Sequence, residues 1–267
     1  MQLPWLPSSL AESLASRISG LPAPSLCAVC RSWGRQRVCH ACRARWAAPV
    51  ARCARCAIDV PSGALQCGQC VLRPPPFHRA VAALHYAHPW DGLIARFKFG
   101  AALDLAPVLS QLLAEAVRGP SSAGPPDSAE HNDPQLHTPS PASSQTLLLP
   151  VPLSSNRLRE RGYNQAWELA RRVAATLKCT ADAHLLLRVK ETPHQTTLPP
   201  DARAANVRDA FAVEPLRAAE IRGREVALVD DVMTTGATLA ELTRTMLNAG
   251  ASRVQVWVLA RTPRPER

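Results

Sequence analysis

One stretch constrains the fold more than any other. Residues 226–238 read Val226, Ala227, Leu228, Val229, then Asp230 and Asp231, then Val232, Met233, Thr234, Thr235, Gly236, Ala237 and Thr238. Four apolar residues without alternation ask for a strand covered on both faces, the habit of parallel sheets inside α/β proteins. In open α/β sheets ligands bind beyond the carboxyl ends of the strands, which is where the two acids fall. A short run of hydroxyl residues and glycine then opens a helix. Such a turn presents backbone N–H groups and the positive end of a helix to an anion. The hydroxyls of Thr234, Thr235 and Thr238 add donors, and Gly236 lets the backbone come close. The carboxylates of Asp230 and Asp231 suit the vicinal hydroxyls of a ribose and attract magnesium indirectly. A solvated Asp pair ahead of a capped helix would explain the acids but not the whole string.

A second constraint comes from cysteine. Eight of the nine cysteines form four Cys-x-x-Cys pairs: Cys27/Cys30, Cys39/Cys42, Cys53/Cys56 and Cys67/Cys70. Each pair makes a knuckle that aims two sulfurs at one ion, and two knuckles complete a tetrahedral thiolate site. Two structural zinc ions are expected. Sequential pairing of the knuckles is simplest, and crossed pairing stays open. Redox cycling is the rival use of such a pair, but four copies without a thioredoxin-like context argue against it. This segment has no continuous apolar pattern, so metal must supply what a core cannot. Four thiolates leave no open ligand position, so the zinc is structural and His40 is not catalytic. Cys179 lies outside the set.

The rest of the chain falls into recognisable blocks. Leu6, Leu10, Leu14 and Ile18 predict an amphipathic helix within residues 1–20. A double zinc ribbon is expected over 25–73, then stiffening by Pro74, Pro75 and Pro76, then a domain over 77–267. Within it, strands are expected at 80–86, 146–152, 226–229 and 253–259, and helices at 103–117, 164–177 and near 238–248. Alternating strands and helices predict an α/β fold with a mostly parallel sheet. Residues 119–144, rich in Pro, Ser, Asp and His, read as a disordered insertion.

Charge says less. The formal balance is 31 − 21 = +10, and two tetrathiolate zinc sites at −2 each bring it to about +6. That is a weak pull toward polyanions. Arg31, Arg35, Arg37, Arg43, Arg45, Arg52 and Arg55 stand in the cysteine segment against Asp59 alone, with Trp33 and Trp46 as stacking faces for a single strand or as a small core. No apolar stretch is long enough for a membrane span and no secretory signal is visible, so a cytoplasmic protein is expected.

The string at 226–238 resembles the thirteen-residue signature of type I phosphoribosyltransferases. The likeness extends to Pro150 and Pro152, followed by Arg157, Arg159, Glu160, Arg161, Gly162, Tyr163, Asn164 and Gln165. Thr192 and Gln195 lead through Leu198 and Arg203 to Asn206, Val207 and Phe211, and Lys98, Phe99 and Gly100 stand earlier. With the four cysteine pairs, the chain resembles the ComF family of competence proteins, whose relatives include GntX-type proteins. The resemblance implies a double zinc ribbon joined to a type I phosphoribosyltransferase fold, with a role in bringing DNA into the cell. It implies phosphoribosyl pyrophosphate or a related ribose phosphate as ligand, with Mg2+ accompanying the pyrophosphate. Asp230, Asp231, Thr234, Thr235, Gly236, Ala237 and Thr238 would bind it. Arg157, Arg159 and Arg161 suit the phosphates because guanidinium binds them in a planar fork, and Lys98 reaches the same anion. Thr192, Gln195, Arg203 and Asn206 would form a hood. Asp231 is the best choice of catalytic base. Single-stranded DNA and DNA-uptake proteins are candidate partners. The alternatives are a nucleotide-salvage phosphoribosyltransferase and a DNA-binding or adaptor protein without turnover.

Overall fold

Apolar runs become strands and apolar stripes become buried helix faces in a computed structural model that describes residues 24–119, 145–190 and 207–263. The helix expected within 1–20, residues 120–144 of the expected insertion, and Thr192, Gln195, Leu198, Arg203 and Asn206 lie outside the described residues. Two compact units divide at Arg45 and Trp46. In the smaller, β1 (Ser25–Leu26) pairs antiparallel with β2 (Trp33–Gly34), and α1 (His40–Trp46) runs to the division.

The larger unit continues with α2 (Gly68–Leu72), β3 (Arg79–His85), α3 (Trp90–Phe99), α4 (Ala106–Arg118) and β4 (Leu147–Pro150). Then come α5 (Ser155–Arg161), α6 (Gln165–Leu177), β5 (Thr180–Ala181), β6 (Leu186–Arg188) and β7 (Phe211–Val213). It ends with β8 (Glu225–Met233), α7 (Ala237–Asn248) and β9 (Arg253–Arg261). Five strands form one sheet in the order β3-β9-β8-β4-β5, and every neighbouring pair is parallel. β6 and β7 make a separate antiparallel pair.

The sheet has the composition that burial on both faces demands. Val226, Ala227, Leu228 and Val229 of β8 are all fully buried, as are Val256 to Ala260 of β9. Side chains alternate between faces along a strand. Val226, Leu228, Val254, Val256 and Val258 share a core with Leu239, Leu242 and Met246 of α7. Helices α4 and α6 pack on each other, α4 against β3 and β9 and α6 against β4 and β8. Leu105, Leu109, Leu113, Leu169 and Val173 are fully buried there. Each such side chain contributes about 1.5–3 kcal/mol relative to exposure. Pro150 has no N–H to give, and it sits where β5, which pairs only with Leu147 and Leu148, has already ended. Asn164 caps α6, its side chain accepting from the amides of Ala166 and Trp167 at 2.9 and 3.3 Å.

The prolines at 74–76 do not mark the division between the compact units. The second cysteine cluster belongs to the larger unit because its backbone is stitched to the sheet. Ala80 N–H donates to the Ala54 carbonyl at 3.0 Å, and the Arg55 guanidinium donates to the carbonyls of Pro75 and His78 at 2.8 and 3.0 Å. Ala54 thereby covers part of β3, an edge strand.

Candidate functional site

The cysteines assemble in chain order: Cys27, Cys30, Cys39 and Cys42 form one cluster, and Cys53, Cys56, Cys67 and Cys70 the other. In each, the four Sγ atoms lie within 4.8 Å of one another. Cys30 and Cys39 are 3.7 Å apart at sulfur, and so are Cys56 and Cys67. A tetrahedron with Zn–S bonds of about 2.3 Å has edges of about 3.8 Å, so the sulfurs stand at the spacing of ligands around one ion. The amides of Cys39 and Cys67 point at the Sγ atoms of Cys27 and Cys53, at 3.4 and 3.3 Å. Burial pushes the Cys42 thiol up to about 12 and the Cys56 thiol up to about 11. The Ser32 hydroxyl beside Cys30 brings that thiol down to about 6. Sulfurs so placed do not all shed their protons without a cation among them. The second cluster's core is little more than its cysteines with Ile58, Val60 packing alongside. The donor set fits a closed, structural metal site.

The strand–turn–helix expected at 226–238 forms, with one extension: β8 runs on through Asp230 and Asp231 to Met233. Asp231 is buried and Asp230 half-buried. Gly236 adopts φ 81°, the left-handed region that favours glycine, and from it α7 starts. Thr234 and Thr235 are exposed, and the Thr235 hydroxyl accepts from the Ala237 amide at 3.3 Å. Acceptor carboxylates and donor hydroxyls and amides thus lie within one short segment at the carboxyl edge of the sheet.

Lys98 comes to the same place from the last turn of α3, its Nζ 3.0 Å from Asp231 Oδ1. Burial opposes the charge on Lys98, but Asp231 and then Asp230 outweigh it and hold the ammonium above its ordinary value. Burial and the like charge of Asp231 push the Asp230 carboxyl up to about 7, with Lys98 and Arg161 working the other way. Asp230, Asp231, Lys98 and Arg161 therefore form one electrostatic group.

The three arginines do not converge. They lie on α5, a helix capped by Ser154, whose hydroxyl accepts from the Arg157 amide. Residues four apart share a helix face, so Arg157 and Arg161 stand together and Arg159 stands opposite. Arg159 bonds within its own helix, to the Ser155 carbonyl and to Asn156. Arg161 donates to Gln165 Oε1 at 2.9 Å and lies 5.0 Å over the Phe99 ring.

Two residues of the α5–α6 corner hold Lys98 in place, and their roles had no sequence signal beyond the resemblance. The Tyr163 hydroxyl donates to the Phe97 carbonyl, and buried Gln165 donates to the Lys98 carbonyl at 3.4 Å. At the start of the turn itself, the Arg261 guanidinium donates to the carbonyls of Met233 and Thr234.

The chain is similar in sequence to proteins already known. A family described as the phosphoribosyl transferase domain matches residues 164–267. DNA utilization protein YhgH of Escherichia coli strain K12 is 32% identical over 246 residues, covering 91% of this chain and 99% of that protein. Competence protein F of Haemophilus influenzae is 34% identical over 209 residues, covering 78% of this chain and 84% of that one. A solved glutamine phosphoribosylpyrophosphate amidotransferase from B. subtilis, complexed with ADP and GMP, is 15% identical over 61% of this chain and 30% of its own, with a TM-score of 0.35.

Proposed function

The chain belongs to the ComF family of competence proteins, and on that premise we propose that its α/β unit binds phosphoribosyl pyrophosphate or a related ribose phosphate in the service of DNA uptake. One observation carries the reading: β8 delivers Asp230 and Asp231 to the carboxyl edge of a parallel sheet, and the next turn passes through left-handed Gly236 into α7. In this reading the amides and hydroxyls of residues 234–238 cradle a phosphate, and Asp230 and Asp231 take the ribose hydroxyls. Lys98, Arg157 and Arg161 meet the pyrophosphate. Arg159, on the opposite face of α5, meets it only after that helix turns. Mg2+ accompanies the pyrophosphate and neutralises part of its charge. Asp231 is engaged by Lys98, so general-base work by Asp231 requires that pair to open as ligand enters. The two cysteine clusters each hold a structural zinc ion. The cytoplasm, where thiols stay reduced, is the proposed compartment; no helix among the described residues is long and apolar enough to cross a membrane.

A second activity, weak binding of single-stranded DNA by the smaller unit, is favoured by Trp33, which is 75% exposed, and by exposed Arg31 and Arg35. Contact with DNA-uptake proteins would follow from the same role. Equilibrium dialysis with labelled phosphoribosyl pyrophosphate, with and without Mg2+, tests the main reading. Retention of one equivalent, strengthened by Mg2+, is expected; no retention overturns it. Pyrophosphate release on adding a nucleobase would then mark a salvage-type transferase, and binding without release a sensor or adaptor.

A further inference from the structure

Arg261 is the last residue of β9, and its backbone is fixed from both sides. The Tyr86 amide donates to its carbonyl at 2.9 Å, and the next amide, of Thr262, donates to the Met233 carbonyl at 3.1 Å. The side chain then joins two places that no secondary structure connects. Nε donates to the Cys56 carbonyl at 3.0 Å. Nη1 donates to the carbonyls of Met233 at 3.0 Å, Thr234 at 2.5 Å and Thr262 at 2.9 Å. Cys56 belongs to the second cysteine cluster, and Thr234 begins the turn that leads to Gly236 and α7. The nearby carboxylate of Asp59 is engaged by Arg52 at 2.8 Å and His85 at 3.2 Å.

We infer that Arg261 is a positioning residue that ties the metal site of Cys53, Cys56, Cys67 and Cys70 to the turn 234–238, so that each site sets the other's affinity. The inference rests on the ribose-phosphate reading. Its physical basis is the reach of a rigid fork. A metal ion that draws Cys53 and Cys56 toward Cys67 and Cys70 fixes the direction of the Cys56 carbonyl. The knuckle is stiffened further by the Cys53 amide on the Ile58 carbonyl at 2.7 Å and the Ala57 amide on the Cys53 carbonyl at 2.8 Å. With that carbonyl fixed, Nε is fixed, and the planar guanidinium carries the constraint to Nη1 and the carbonyls of the turn. Lysine keeps the charge but offers one compact ammonium, which does not span both acceptors. Coupling between two sites is reciprocal: if metal orders the turn for its ligand, the ligand tightens the metal.

The test measures zinc affinity on the full chain by equilibrium competition with a chelator, with and without phosphoribosyl pyrophosphate and Mg2+. In the parent protein the ligand tightens one zinc site about fivefold or more, the low end of typical couplings. The Cys27, Cys30, Cys39 and Cys42 site, in the other unit, is the internal control and does not respond. Arg261→Lys and Arg261→Met both keep two zinc equivalents and still bind ligand more weakly than the parent, and neither shows the tightening. The lysine variant separates the tie from simple attraction of charge. Ligand binding without any effect on zinc in the parent, or equal coupling in parent and Arg261→Lys, overturns the tie and leaves the ribose-phosphate reading standing. A parent protein that does not bind the ligand overturns that reading, and the tie with it.

Discussion

At Asp230 the strand places a carboxylate that burial and Asp231 push up to about 7, from an ordinary value of 3.8. Between about 4 and 7 the folded protein holds a proton that the unfolded chain has released, so this group's contribution to stability falls as pH rises through that window. Above it the cost is complete. Asp230→Asn removes the cost. By chemical unfolding the variant is more stable than its parent at pH 8, by at most about 4 kcal/mol at 1.36 kcal/mol per unit, and the gap closes near pH 4. A parent as stable as the variant at pH 8 contradicts this. Asp230, Asp231 and the hydroxyl turn were legible because they are contiguous and their spacing is itself the signal. For Lys98 the resemblance implies only that it reaches an anion. Its pairing with Asp231 depends on where α3 ends relative to β8, which no local pattern encodes.

The α5–α6 corner shows what a turn contributes to a site. Gly162 ends α5 at φ 75° with nothing within 4 Å of where a Cβ would stand, so Gly162→Ala meets no clash and costs only the left-handed backbone, about 1 kcal/mol, read as a small drop in melting temperature. Tyr163→Phe removes the hydrogen bond to the Phe97 carbonyl. The loss of stability is about 1 kcal/mol, and the larger effect is on ligand affinity, because Lys98 is the next residue. Equal ligand affinity in Tyr163→Phe and parent would show that the corner does not position Lys98. Helices α4, α6 and α7 were legible from apolar spacing. Helix α5 buries no residue, so it leaves no stripe to read. Trp90, Leu93, Ile94 and Phe97 of α3 do stand at helical spacing and are buried. The signal was present, obscured by Pro89 before it and Gly92 within it. Three-residue strands such as β6 and β7 are too short for alternation to be seen.

For the whole molecule, the four cysteine pairs predicted two tetrathiolate clusters, and the sulfurs stand where such clusters need them. Their allocation to separate compact units was not legible, because it depends on contacts such as the backbone hydrogen bond from Ala80 to Ala54, far apart in the sequence. Metal analysis of the purified protein is expected to find about two zinc equivalents, and stable folding of the cysteine clusters without metal contradicts that. Binding of single-stranded DNA is expected to be weak and to fall steeply with salt. Arg37 donates to the Leu26 carbonyl at 2.9 Å, so it is a poor probe of that contact. Arg31→Gln with Arg35→Gln changes exposed residues only and is expected to flatten the salt dependence. The claim on which the rest depends is that the turn after β8 holds a ribose phosphate. Titration calorimetry at pH 8, with phosphoribosyl pyrophosphate and Mg2+, measures it in the zinc-loaded parent, Asp230→Asn and Thr235→Val. One site is expected in the parent and a loss of about 1–3 kcal/mol of binding in each variant, as when a hydrogen bond to a charged group goes. No heat in the parent, or three indistinguishable curves, would contradict it.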